Sequence, residues 1–280
     1  KKPPCQRGGF LFWNLMLFFS FVNDLNWDLF FLQLGLFVIS LISNFLSALA
    51  GGGAGLIQLP ALILFGLPFP AALATHKVAS VALGLGATSR YLREGSLKAK
   101  FTLLVLLFGL PGVYLGTRVV ILLPDKLFSF LLGSLTLGLG IFSFFRKDFG
   151  SKNRLSKINP RRLIFGGLGL FLLGFLNGSL TSGTGLFVTI WLVSWFGLSY
   201  PIAVAYTLIL VGIFWNGAGA LFLGLQGNIE WYWVPSLLTG SVMGGYFGAH
   251  YGIKYGSKLI KTSFEILSVF LSISLLIRSF

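Results

Sequence analysis

From Leu29 to Gly66 the chain carries no charged residue, nearly twice the roughly 20 residues that one bilayer-crossing helix needs. In the middle of this run stands Ala48–Pro60, ALAGGGAGLIQLP, with glycines at 51, 52, 53 and 55. Each glycine inside a helix costs about 1 kcal/mol relative to alanine. In lipid, a broken backbone persists only where protein or a water-filled cavity satisfies its N–H and C=O groups. The cluster therefore divides the run into a longer leg and a leg of roughly 12 residues. At 1.5 Å rise per residue the second leg covers about 18 Å, short of the ~30 Å hydrocarbon core. The sequence predicts a broken, re-entrant hairpin. The same device recurs in Leu163–Gly197, interrupted near Thr181–Gly185 inside Asn177–Thr189, NGSLTSGTGLFVT.

The remainder of the 280-residue chain is consistent with a membrane setting. It is 55% hydrophobic and 10% charged, with a mean hydropathy of +0.88, which no soluble core could absorb. Lys and Arg number 21 against seven Asp and Glu. An excess of this kind can mark nucleic-acid binding, but here the cations collect in loops between apolar segments, the pattern of cytoplasmic loops. Cys5, the lone cysteine, has no partner for an internal disulfide. Residues 10–22 are as long as a signal-peptide core, but no A-x-A-like cleavage site follows. They are expected to form a short retained helix, with the N-terminus cytoplasmic.

Four segments follow: 1–27 with that short helix, a first repeat over 28–145, a basic cytoplasmic loop over 146–162, and a second repeat over 163–280. Further spans are expected at 68–92, 101–123, 127–145, 201–223 and 231–251. The repeat is visible residue by residue. Gly53 and Gly55 return as Gly183 and Gly185 at an offset of 130, and Phe65-Gly66-Leu67 returns as Phe196-Gly197-Leu198 at 131. Gly112 and Gly116 return as Gly244 and Gly248 at 132. Loops 93–100, 146–162 and 252–262 hold cations, whereas 224–230, the counterpart of 93–100, holds Glu230 and none. The two halves are therefore expected to have opposite topologies, all-α and multi-pass, with their glycine tips meeting near the membrane centre. Inverted repeats of this kind characterise secondary transporters, which hold substrate at the midplane.

The candidate substrate-binding residues lie at the tips and in the spans that follow. Gly51, Gly52, Gly53 and Gly55 let backbone approach a ligand. Gly183 and Gly185 do the same, and Thr181, Ser182 and Thr184 add hydroxyl donors beside a restarting helix whose N–H groups favour an anion. Small residues of this kind also serve tight helix packing. Thr75, His76 and Lys77 lie early in the span after Pro70; Lys77 either faces a cavity or snorkels, and His76 either carries a proton or makes a structural hydrogen bond. Thr207 is the counterpart of His76, and Asn216 is a mid-span polar group that either lines a cavity or bonds a neighbouring helix. Gly112/Gly116 and Gly244/Gly248 read as helix packing, and the Trp and Tyr residues at 231–233 as an interfacial belt. The chain shows no nucleotide-binding loop, CxxC or metal-ligand cluster, so no cofactor, metal or nucleic-acid partner is expected. A membrane enzyme would need clustered nucleophile, acid and base residues.

The stretch GGGAGLIQLPALILFGLPFPAALAT, then Arg90-Tyr91-x-Arg93-x-Gly95 and PGVYLG, resembles the sulfite exporter TauE/SafE family. The second half, SGTGLFVTIWL, FGLSYPIAVAYT, GNIEW and GGYFGAH, repeats the same pattern, so the resemblance covers about residues 50–260. Ala54 stands where family members often continue with glycine, and His76-Lys77 where a small polar pair is more usual. The resemblance implies a secondary transporter of the bacterial inner membrane. It would export a sulfur-containing anion, such as sulfite or an organosulfonate, by alternating access, with a proton as the candidate coupling ion. An anion channel-like pore is the alternative, and a non-transport membrane subunit or enzyme a further one.

Overall fold

The structure is a computed structural model. It describes residues 27–50, 52–91, 98–122, 160–181 and 183–255, with scattered positions within 124–138 and 269–277. Segment 10–22, Gly51, Ser182, and most of loops 93–100, 146–162 and 252–262 and of span 127–145 lie outside the described residues.

Among the described residues every regular element is helical. The long apolar run opens as α1 (Trp27–Ala50) and breaks at the glycines. It restarts as a single 3-10 turn (Ala54–Leu56) followed by the short α2 (Gln58–Leu64). Next come α3 (Phe69–Tyr91) and α4 (Ala99–Leu122). The second half begins with α5 (Pro160–Ser179), breaks at Thr181, and restarts as α6 (Thr184–Ser194). The span expected at 201–223 consists of α7 (Tyr200–Tyr206), a π-helical stretch (Thr207–Trp215) and α8 (Asn216–Gly224). Helix α9 (Val234–Tyr255) ends the continuously described chain. Among the described residues three stretches, Trp27–Leu49, Ala99–Val120 and Ile202–Gly224, are long and apolar enough to cross a membrane. The described residues 27–35 belong to a unit of their own, where Trp27 packs on Phe30 and Phe31 with ring centroids 6.1 and 6.3 Å away. Everything below concerns the second unit, Leu36–Phe280.

Both restarted legs are short and end alike. Gly66 and Gly197 each take a left-handed φ (112° and 74°). The following Leu67 and Leu198 N–H groups then close onto carbonyls of the preceding helix. A left-handed glycine at a helix end avoids the Cβ clash that any other residue would meet.

The packing between halves is reciprocal. A Cβ on Gly112 or Gly116 of α4 would strike the carbonyls of Phe171 and Phe175 in α5. A Cβ on Gly244 or Gly248 of α9 would strike those of Leu41 and Phe45 in α1. Phe171 and Phe175 are Leu41 and Phe45 displaced by 130, so equivalent positions make equivalent contacts. The last described helix of each half thus lies backbone-to-backbone against the first helix of the other. Glycine stripes allow that approach, which drives association where lipid gives no hydrophobic advantage. A core cluster joins Val105 and Val113 of α4 to Leu170, Val188, Leu192 and Trp215 of the second half.

Candidate functional site

The two glycine tips meet. A Cβ on Gly52 would lie 2.7 Å from the carbonyl carbon of Gly185, so only bare backbone fits there. Around this contact is a cavity of about 40 Å³. One water needs about 10–15 Å³ on the same measure, so the space suits a small ion. Its walls come in repeat-related pairs. Ser47, Ala54 and Gly55 of the first half face Asn177, Thr184 and Gly185, their counterparts at 130. His76 and Ser80 correspond at 131 to Thr207 and Val211. The cavity is therefore walled by positions that recur at a near-constant offset in the sequence.

The second half supplies more polarity. Helix α5 ends at Ser179, and Thr181 follows with φ 55°. A β-branched residue is a real outlier in that region, with a cost of about 1–2 kcal/mol. Several bonds fix it: its N–H donates to the Leu176 carbonyl (2.9 Å), and its own carbonyl accepts the Thr184 hydroxyl (2.7 Å). Gly183 then opens α6 without a side-chain cap, and the positive end of that helix lies beside cavity-lining Thr184 and Gly185. At the first tip the restarting helix is only Gln58–Leu64, so a comparable dipole is not built there. The π-helical stretch is the second local departure. Its i→i+5 bonding places residues four to five apart on one face. Thr207, Val211, Gly212 and Asn216 all line the cavity.

Lys77 lies behind this wall. It is fully buried, so it does not snorkel. Its Nζ donates to the Asn177 carbonyl (2.7 Å) and Thr181 Oγ1 (3.1 Å), with Asn177 Oδ1 at 3.2 Å and Asn216 Oδ1 at 3.4 Å. The Asn177 carbonyl belongs to the last turn of α5, where main-chain oxygens lack helical partners and attract cations. Gly219 leaves room for the lysine stem: a Cβ there would meet Lys77 Cδ at 2.8 Å. No carboxylate among the described residues accepts from Nζ. A buried cation held by neutral oxygens alone is costly unless something negative joins it.

Because ammonium only donates, the amides beside it are oriented. Asn216 Oδ1 accepts from Lys77 Nζ and, at 3.2 Å, from Asn177 Nδ2, which leaves Asn216 Nδ2 as a donor. Thr181 Oγ1 accepts from Lys77 and from Asn177 Nδ2 (3.4 Å), so its hydrogen is available. The lysine charge is thus passed to the cavity through donors that themselves line it.

Of the residues expected from sequence, Gly52, Gly53, Gly55, His76, Thr181, Thr184, Gly185, Thr207 and Asn216 line the cavity. Gly183 caps α6 at its edge. Lys77 is one layer behind. Thr75 points elsewhere, its hydroxyl accepting the Glu230 N–H at 2.9 Å. Gly51 and Ser182 are not described. Sequence reasoning missed Ser47, Ser80 and Asn177. The 130 offset that pairs the glycines also pairs Ser47 with Asn177, and Ser80 is one turn beyond His76. Ser47 Oγ is buried and without a hydrogen-bond partner.

Residues 36–275 match the sulfite exporter TauE/SafE family. Among curated relatives, a "Probable membrane transporter protein" of Haemophilus influenzae is 31% identical, covering 75% of this chain and 80% of the relative. "Probable membrane transporter protein ORF9" of a Sinorhizobium species is 29% identical over 86% of this chain and 91% of its own length. "Probable membrane transporter protein YfcA" of Escherichia coli K12 is 26% identical over 87% and 89%. No solved structure matches the chain.

Proposed function

The chain belongs to the sulfite exporter TauE/SafE family, a family of integral membrane transporters, and from that premise we propose that it is a secondary transporter of a small sulfur-containing anion, sulfite or a short sulfonate, held between the two glycine tips. The observation that carries this reading is Lys77: a fully buried ammonium with neutral partners, directly behind a cavity lined by its hydrogen-bonded relays. The donor set is suited to an oxyanion. Thr181 Oγ1, Asn216 Nδ2 and the start of α6 converge on the space, and fixed dipoles in a water-poor site act strongly on charge. The candidate contact residues are Gly52, Gly53, Gly55, His76, Thr181, Thr184, Gly185, Thr207 and Asn216, with Lys77 supplying positive potential from behind. The reciprocal glycine packing of the halves favours an inverted repeat in the inner membrane, and transport by one half moving against the other, with the anion carried outward.

The test is sulfite flux in proteoliposomes containing the purified full chain, with empty liposomes as the reference. Flux that saturates, and that is lost in Lys77→Met while the protein stays folded, supports the reading. Equal flux in the parent and Lys77→Met would sink it. A flux that rises linearly with concentration, without saturation, would instead favour a pore.

A further inference from the structure

The hydrogen bonds on the first-half wall have a direction that the sequence does not reveal. Ser40 Oγ is 2.7 Å from the Leu237 carbonyl oxygen, and a carbonyl cannot donate, so the single Ser40 hydrogen lies on that bond. With that hydrogen committed, Ser40 Oγ can only accept from its other neighbours, Ser241 Oγ (2.9 Å), Gln58 (3.0 Å) and Asn44 Nδ2 (3.2 Å), so the Gln58 amide presents Nε2 to Ser40. Gln58 Oε1 therefore faces His76 Nδ1 at 2.8 Å, and Nδ1 must carry the proton on that bond. In a neutral imidazole the other nitrogen is an acceptor. His76 Nε2 then takes the hydrogen of Ser80 Oγ, 3.1 Å away. Ser80 lines the cavity with its hydrogen committed inward, so toward the ligand it offers lone pairs.

The cavity thus has two unlike walls. Thr181 and Asn216, backed by Lys77, donate. Ser80, backed by His76 and Gln58, accepts. A fully deprotonated oxyanion would meet lone pairs at Ser80. An oxyanion that keeps one hydroxyl satisfies both walls, with its charged oxygens toward Thr181 and Asn216 and its O–H donated to Ser80 Oγ. We propose that this site selects the singly protonated, monoanionic form of an oxyanion of the XO3 type, with Ser80 as the specificity-determining contact and Gln58 as the positioning residue that fixes the His76 tautomer. The inference rests on the anion site proposed above and adds which protonation form that site takes.

The experiment is ligand binding to the purified full chain by calorimetry at a single fixed pH at which hydrogenselenite is the main selenite species. Its competitors are methaneseleninate, which keeps the charge, the selenium and both terminal oxygens but has a methyl in place of the hydroxyl, and sulfate. The parent is expected to bind hydrogenselenite about tenfold more tightly than methaneseleninate, the scale of one hydrogen bond. Ser80→Ala should lose that advantage by weakening hydrogenselenite alone. Gln58→Met, which keeps Ser80 but frees the imidazole to change tautomer, should narrow the same ratio. Equal affinity of the parent for the two monoanions, or an equal loss of both in Ser80→Ala, would overturn the inference while leaving the anion site standing. Absence of binding by the parent to any of the three ions would overturn the anion site, and the inference with it.

Discussion

Lys77 Nζ lies 2.7 Å from the main-chain oxygen of Asn177, so a lysine of the first half caps the helix of the second half that leads into the other glycine tip. The two halves are held together at the site by a charge, and the same charge is the attraction offered to an anion.

Removing that charge separates its two roles. In Lys77→Met the stem still fills the slot at Gly219, but the Asn177 carbonyl loses its charged donor and Asn216 Oδ1 keeps only Asn177 Nδ2. The expected cost is about 1–3 kcal/mol of stability. A unit charge about 6 Å away at an effective dielectric near 20 contributes about 3 kcal/mol to an anion, so sulfite affinity should fall about a hundredfold. Thermal unfolding and isothermal titration on the same sample check both figures. A variant that binds sulfite as the parent does would show that the charge is only structural.

Thr181 sets strain against function. Its φ of 55° costs about 1–2 kcal/mol for a side-chain-bearing residue, and glycine would relieve it. Thr181→Gly also removes one acceptor from Lys77, so net stability is expected to stay within about 1 kcal/mol of the parent. Transport should nevertheless collapse, because the donor hydroxyl is gone. Circular-dichroism melting with a flux assay distinguishes this from a packing role, in which Thr181→Gly would transport normally.

Much of the architecture was legible in the sequence because lipid forces it. An apolar run too long for one span, cut by glycine, has few solutions, and the breaks at Gly52–Gly53 and Thr181–Gly183 fall where the runs required them. The glycine stripes at 112/116 and 244/248 pack helices as expected. The site was legible in part. Thr207 and Asn216 were recognisable as polar groups in apolar spans, but the π-helical stretch that places them on one face leaves no periodic mark, since Thr207–Trp215 is apolar almost throughout. Thr75 and Lys77 are sequence neighbours of His76, but a helix turns each to a different side. Thr75 therefore meets Glu230 N–H, and Lys77 passes behind the wall. Partner choice of that kind depends on which helix lies alongside, and local sequence does not encode it.

The proposed opposite insertion of the halves makes a side-specific prediction. In a Cys5→Ser background, single cysteines at Ser96 and Gln226 occupy equivalent loops of the two repeats. An impermeant maleimide applied to right-side-out and inverted vesicles should label Gln226→Cys from outside and Ser96→Cys from inside. Labelling of both from one side would rule out the inverted arrangement and leave a parallel duplication.

Gly52 and Gly66 provide a matched pair for the tip contact. Both hold a left-handed backbone, with φ 128° and 112°, so alanine at either is strained. At Gly66 a Cβ meets nothing within 4 Å, and the expected cost is the backbone term alone, about 1–2 kcal/mol, with transport retained. At Gly52 the added carbon would stand 2.7 and 2.8 Å from the Gly185 backbone, where no flexible side chain can give way. Gly52→Ala must push the tips apart, opening the wall that Ser47 and Asn177 share. It should lower the melting temperature more than Gly66→Ala and abolish sulfite flux, whereas Gly66→Ala keeps it. If the two variants transport equally well, the close approach of the tips is not part of the transport site.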